Sequence, residues 1–255
     1  MNAVPNVDWR RGTAAGLLVV FVSFAAYVPA VLGAVAVPEG HEKLLRYGVV
    51  CVLLAPITAL SVYAILKAVI GGRARPAWIG FAYPHRVISS VLLFFPLAFV
   101  ALFVAGILTT VTGLQDEPTT AVDLTTKPEG EKLFLTFSAV VVAPWVEETA
   151  FRGLVYSSLA IRFGFWPAAI ASSAGWSALH LALGVLIVFT AAGIVLCWLR
   201  DRTGSILPGV ALHGLWNSIA SGFSGGADYA IICGAVFALT VAAAVMATRR
   251  WELSL

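Results

Sequence analysis

The sequence predicts an all-α fold: a polytopic transmembrane helical bundle of about eight spans, with both termini in the cytoplasm. Three observations carry this. Of 255 residues, 60% are hydrophobic and only 11% charged, where a soluble domain has about 25% charged residues. The apolar residues gather in long runs, most of them as long as the ~20 residues a helix needs to cross a bilayer. The basic residues between the runs are asymmetric. Eleven of them, including Arg10, Arg11, Arg73, Arg75, Arg249 and Arg250, fall on the side of the termini, and four, Lys43, Arg46, Lys127 and Lys132, fall opposite. That is a positive-inside bias.

In order, Arg10-Arg11 precede the first apolar run, 13–37. Ala34-Val35-Ala36 resembles a signal cleavage site, but the run is longer than a signal core and further runs follow, so it reads as an uncleaved span. Runs 44–70 and 87–111 come next. A polar segment, 112–132, holding Asp116, Glu117, Asp123, Glu129 and Glu131, separates the two halves and is expected outside. The fourth run is 133–160. Runs 166–181 and 185–199, divided by Gly184, are each shorter than a straight span needs, so full crossing is left open. Run 205–221, a Gly-rich turn at 222–228 and run 229–248 complete the chain. One integral membrane domain, 1–255, is expected, with a chemical core at 133–221 and no soluble module.

The net charge of +3 is small and the basic residues form no stripe, so no nucleic-acid partner is expected. Cys51, Cys197 and Cys233 lie in apolar runs without short Cys–Cys spacing and read as packing residues. His41 and His85 fall in loops and take no role.

Three polar constellations interrupt the second half. In 146–153, Val-Glu-Glu-Thr-Ala-Phe-Arg-Gly, three charges fall within six residues. Each costs about 2.5–3.5 kcal/mol at mid-bilayer on an insertion scale. Such groups pair, face a watery cavity or do chemistry. Glu148 and Arg152 are i and i+4 and pair on one helical face. Glu147, rotated by about 100°, is left without a local partner. Trp176 and His180 are also i and i+4, so the indole packs beside the imidazole. His213 and Asn217 repeat the spacing, and Gly209 and Gly214 allow another helix close approach. Helices of a bundle can point such groups into one interior site. There Glu147 serves as general base, His180 orients water, and His213 with Asn217 meets a developing oxyanion. A hydrogen-bond clamp between helices is the alternative for His213 and Asn217. No Ser or Cys sits in a nucleophile turn, and the His-Glu-x-x-His pattern is absent.

Glu147-Glu148-Thr149-Ala150-Phe151-Arg152, then Trp176-x-x-x-His180, then His213-x-x-x-Asn217 together resemble the three motifs of the CAAX prenyl endopeptidase and bacteriocin-processing family, also called CPBP or Abi proteins. The resemblance covers about 133–221. It implies an α-helical intramembrane endopeptidase, a hydrolase opening towards the cytoplasm, with Glu147, His180, His213 and Asn217 catalytic and Glu148, Arg152 and Trp176 supporting them. It implies a membrane-associated peptide or protein substrate, whether or not lipidated, and, for a chain this small, a bacterial member in the cell's inner membrane. A non-catalytic protein of the same fold, acting in bacteriocin immunity or partner regulation, is the alternative. Zinc is a possible cofactor, held by Glu147, His180 and His213. A metal-free route is favoured, because an amide such as Asn217 is a poor zinc ligand and a natural oxyanion donor.

Overall fold

Wherever the structure, a computed structural model, describes the expected apolar runs, they are helices. It describes residues 9–35, 60, 63, 64, 67, 79–82, 87–113, 124–180 and 183–253. The expected run 44–70 lies almost wholly outside these residues, as do His41, His85 and Cys51. Among the described residues there is no strand.

Helix α1 is Trp9–Val35 and α2 is Val87–Val111. After a short 3₁₀ turn, Leu124–Thr126, comes α3, the continuous 35-residue helix Glu129–Phe163. Helix α4, Phe165–Ala178, has 14 residues, ~21 Å, and falls short of a ~30 Å hydrocarbon core. Helix α5, Leu183–Thr203, has 21, ~32 Å, which is span length. So of the two short sequence runs, one is a short helix and the other is not. Helix α6 is Leu207–Ser221 and α7 is Ala227–Leu253.

Among the described residues, two stretches are long and apolar enough to cross a membrane, Glu129–Phe163 and Leu207–Arg250. The second is a hairpin. Gly225 has φ 91°, a backbone open to glycine and strained for other residues. Beyond it α7 returns along α6: Ser218 Oγ donates to Ala230 O at 3.0 Å, and a Cβ on Gly214 would lie 2.2 Å from the Phe237 ring. The Gly-rich turn is thus where the sequence places it, and Gly214 admits a neighbouring helix as its spacing implies.

Two wide turns interrupt α3, at Ser138–Val142 and Glu148–Tyr156. Both are π-helical, a geometry that recurs at functional sites. The first has a chemical cause. Ala143 N–H donates to Ser138 O, five residues back. The partner of Ala139 O at the same spacing is Pro144, which has no N–H. The Ala139 carbonyl is therefore left for a side chain.

The segment 79–82 sets the depth of α6. Ile206 N–H donates to Gly80 O at 2.9 Å, and Ser205 Oγ donates to Ala82 O at 2.8 Å. On the other side, Ile79 O lies 2.7 Å from where a Cβ on Gly153 would stand. Gly80 itself has φ +88°, and a Cβ there would meet the Arg200 guanidinium at 2.8 Å. Helix α6 therefore begins level with Gly153, well inside the end of α3 at Phe163. At the opposite end, Gly225 and Gly226 pack on Thr125 and Leu124.

Candidate active site

Helix α3 contributes the acids. Glu148 and Arg152 are both fully buried and lie 3.1 Å apart, Oε1 to Nη1, the pairing that their spacing predicts. The contact is close but poorly aligned: Nε, Nη1 and Nη2 of Arg152 all lack a hydrogen-bond partner, as does Glu148 Oε2. Other interactions make up part of the difference. The guanidinium stacks 4.5 Å from the centroid of the Trp176 ring, a cation–π contact that gains strength when desolvated. Glu148 Oε2 lies 3.1 Å from where a Cβ on Gly209 would stand. That is the first turn of α6, where the helix macrodipole favours an anion. Gly209 is required there, since a methyl would press on the carboxylate.

Glu147 points elsewhere. Its side chain is 22% exposed and lines the cavity, while Glu148 is 0% exposed behind it. Two adjacent carboxylates thus take separate environments because successive helical residues diverge by about 100°. Glu147 Oε2 accepts the indole N–H of Trp176.

Trp176 is the hub. It comes from α4, donates to Glu147, lies over Arg152, and meets both imidazoles edge-on, each 5.4 Å centroid to centroid. It also stacks on Phe189 of α5. The contact with His180 is the one that i, i+4 spacing anticipates. Those to Glu147 and His213 are long-range and left no mark in the sequence.

His213 sits between the acids, with Nδ1 3.1 Å from Glu148 Oε1 and Nε2 3.9 Å from Glu147 Oε2. An ionised carboxylate only accepts, so Nδ1 carries the proton. His180 Nδ1 is 3.2 Å from Trp176 O. A carbonyl also only accepts, which leaves His180 Nε2 as a bare acceptor. Among the described residues, no hydrogen bond joins His180 to Glu147 or His213; Trp176 separates them.

The depths of these groups follow from the fold. Helices α3 and α6 run antiparallel. Gly153 is six residues beyond Glu147 and His213 six residues beyond Leu207, ~9 Å in each case. Since α6 starts level with Gly153, Glu147 and His213 come level. On the sequence boundaries alone, His213 stands too near the end of its span to meet Glu147; the inserted 79–82 segment removes that mismatch.

Asn217, one turn beyond His213, donates through Nδ2 to Ala139 O at 2.8 Å. This is the carbonyl that Pro144 leaves without a backbone partner. The amide therefore ties α6 to α3, the clamp arrangement, and has one N–H left over.

Glu147, Trp176, His180, His213 and Asn217 all line one cavity of about 750 Å³ with a mostly apolar wall. Its walls also include Phe95 of α2 and Phe189 of α5, and it runs from Glu147 toward Leu124 and Ser224. The charge distribution assigns that end to the outer face.

Residues 129–219 match a family model described as type II CAAX prenyl endopeptidase Rce1-like. Over this part the chain is similar to the Rce1-like, CAAX protease family. The Rce1-like region starts with α3 and contains every site residue named above, and with the two apolar stretches it marks a membrane protein with a membrane-associated protein as the expected substrate class. No curated protein and no solved structure matches the chain.

Among the described residues no three His, Cys, Asp or Glu side chains are grouped to hold a metal ion. Glu147 Oε2 takes the Trp176 indole. His213 Nδ1 faces Glu148 and leaves Nε2 open, the arrangement of a histidine that can ligate a metal.

Proposed function

We propose that the protein is an intramembrane endopeptidase that hydrolyses a peptide bond with water activated by Glu147. The observation that carries this reading is the meeting of Glu147, His180 and His213 in one cavity within an Rce1-like region. Glu147 takes a proton from the attacking water as its oxygen bonds to the scissile carbonyl carbon. The indole of Trp176 holds Oε2, leaving the carboxylate fixed in orientation. Nε2 of His180, the free acceptor, orients the same water.

His213 is the group best placed to meet the carbonyl oxygen. When protonated it donates at both nitrogens, with Nδ1 held by Glu148 and Nε2 directed to the cavity. Behind it, Arg152 balances the charge on Glu148. The spare N–H of Asn217 supplies a second donor. Removing one donor of this kind costs about 10²–10³ in rate. As the tetrahedral intermediate collapses, the proton on Glu147 passes to the leaving amine.

The test is turnover. The full chain, purified in detergent, is incubated with a library of internally quenched peptides. Cleavage that disappears in Glu147→Gln supports the reading. Absence of cleavage, with Glu147→Gln binding the same peptides as well as the native chain, favours the non-catalytic alternative.

A further inference from the structure

Of the site residues, His180 alone lies outside a helix. Helix α4 ends at Ala178, and His180 stands in the turn beyond it, closed by its own N–H to Ser177 O at 3.1 Å. The i, i+4 spacing brings its ring to Trp176, but at a helix end that spacing does not fix the ring's pose. The side-chain bond from Nδ1 to Trp176 O is 3.2 Å, the long end of the ordinary range. That carbonyl also accepts the Leu179 N–H at 3.2 Å. A further constraint comes from α5. Phe189 lies edge-on to His180, with centroids 4.6 Å apart and planes at 77°, the near end of the range of about 4.5–7 Å for such pairs. The same ring stacks on Trp176 at 5.7 Å, so the three rings meet pairwise. One turn earlier, Leu186 O accepts from Ser177 Oγ at 2.9 Å. Residues 186 and 189 are i and i+3 and share a face of α5, so this bond registers that face against the end of α4.

We propose that Phe189 is the positioning residue for His180. It holds the imidazole in the pose that keeps the Nδ1 proton on Trp176 O and leaves Nε2 free to orient water. The positioning stands on the ring geometry; its effect on rate rests on the endopeptidase reading and deepens it. A half-turn of the imidazole about Cβ–Cγ would put Cδ2 where Nδ1 stood, lose the bond to Trp176 O and move Nε2 to the place of Cε1. The bond made by one ring nitrogen decides which nitrogen keeps the proton, so pose and tautomer change together. Phe189, packed against the ring, leaves little room for that sweep. One edge-on pair biases the choice by about two- to tenfold. The acids and the other imidazole come from α3 and α6; the part of α5 is to supply this ring.

The test reads the imidazole directly. The full chain, purified in detergent with carbon-13-labelled histidine, is examined by NMR in alkaline buffer, where imidazoles are neutral. The His180 signals are those missing from His180→Ala, and the Cδ2 shift reports which nitrogen carries the proton. The native chain is expected to show the Nδ1–H form. Phe189→Leu, which stays apolar and removes the ring, is expected to lower the ratio of that form to the other by about two- to tenfold, and Phe189→Tyr is expected to restore it. On quenched peptides, Phe189→Leu is expected to lower kcat by a similar factor with KM unchanged, and to cost nothing further in a His180→Ala background. Should Phe189→Leu lose its monodisperse peak, Phe189→Met stands in for it. The proposal is overturned if the His180 tautomer is the same with and without the ring, or if the kcat loss persists at full size in the absence of His180. A change confined to KM overturns it too, since Phe189 would then be a substrate contact. A tautomer that follows the ring, in a chain that cleaves no peptide, leaves the positioning intact and removes the endopeptidase reading. Cleavage with a tautomer that ignores the ring does the reverse.

Discussion

Replacing Arg152 by Ala removes the cation from a fully buried site. Glu148 is 0% exposed and its Oε2 already lacks a partner, so the substitution strands a buried carboxylate. Breaking a buried pair from one side costs about 3–5 kcal/mol, and the stacking on Trp176 adds up to about 2 kcal/mol when desolvated. Two features hold the total near the lower end. The guanidinium makes no aligned hydrogen bond to Glu148, and His213 Nδ1 remains on Oε1 at 3.1 Å. A loss of about 3 kcal/mol is expected. At ~2–4 °C per kcal/mol for a chain near this size, the unfolding midpoint falls by about 6–12 °C. The assay is thermal loss of the monodisperse peak in detergent, run beside a Glu148→Gln variant and the Arg152→Ala, Glu148→Gln double variant. Because the double variant leaves neither charge alone, it should lose clearly less than the two single losses added. An Arg152→Ala midpoint equal to that of the native chain, or a double variant losing the full sum, refutes the argument that the pair is held by mutual neutralisation.

Glu147→Gln, at a partly exposed position on the cavity wall, should keep the native midpoint and lose at least about 10²–10⁴ in rate; normal turnover would remove Glu147 as base. Gly214→Ala puts a methyl into the Phe237 ring and should cost about 1–3 kcal/mol by overpacking, with recovery in the Gly214→Ala, Phe237→Leu double variant; an unshifted midpoint for the single change would mean that α6 and α7 do not meet there. Reporter fusions at Asp123 and after Leu255 should report outer and cytoplasmic positions respectively, as the charge asymmetry requires, and the opposite result would invert the topology. Metal analysis of active protein should find no stoichiometric zinc. One zinc per chain, with activity lost on stripping and regained on its return, would replace the glutamate route.

What the sequence reveals here is local. The Glu148–Arg152 pair and the Trp176–His180 contact are both i, i+4, so helical geometry alone brings them together. The apolar runs and the Gly-rich turn are legible for the same reason, since burial and backbone freedom are properties of short stretches. The long-range partners are not. Nothing near Trp176 announces that its indole reaches Glu147, and nothing near His213 announces Glu148, because those distances are set by how α3, α4 and α6 pack. Pro144 is an intermediate case. A proline inside an apolar helical run is a visible signal of a free carbonyl, but the sequence does not say that Asn217 would take it.

The contact between Gly80 and Ile206 has a consequence for what counts as a unit. The Rce1-like region, 129–219, carries the acids and both imidazoles, and the Asn217 bond to Ala139 O helps to set the height of α6 from within it. A second support, the bond from Ile206 to Gly80 O, comes from a segment that lies ahead of the region in the chain. A swap of 129–219 between relatives would therefore carry the site residues across and leave one of their two supports behind, unless the residues around Gly80 travelled with it.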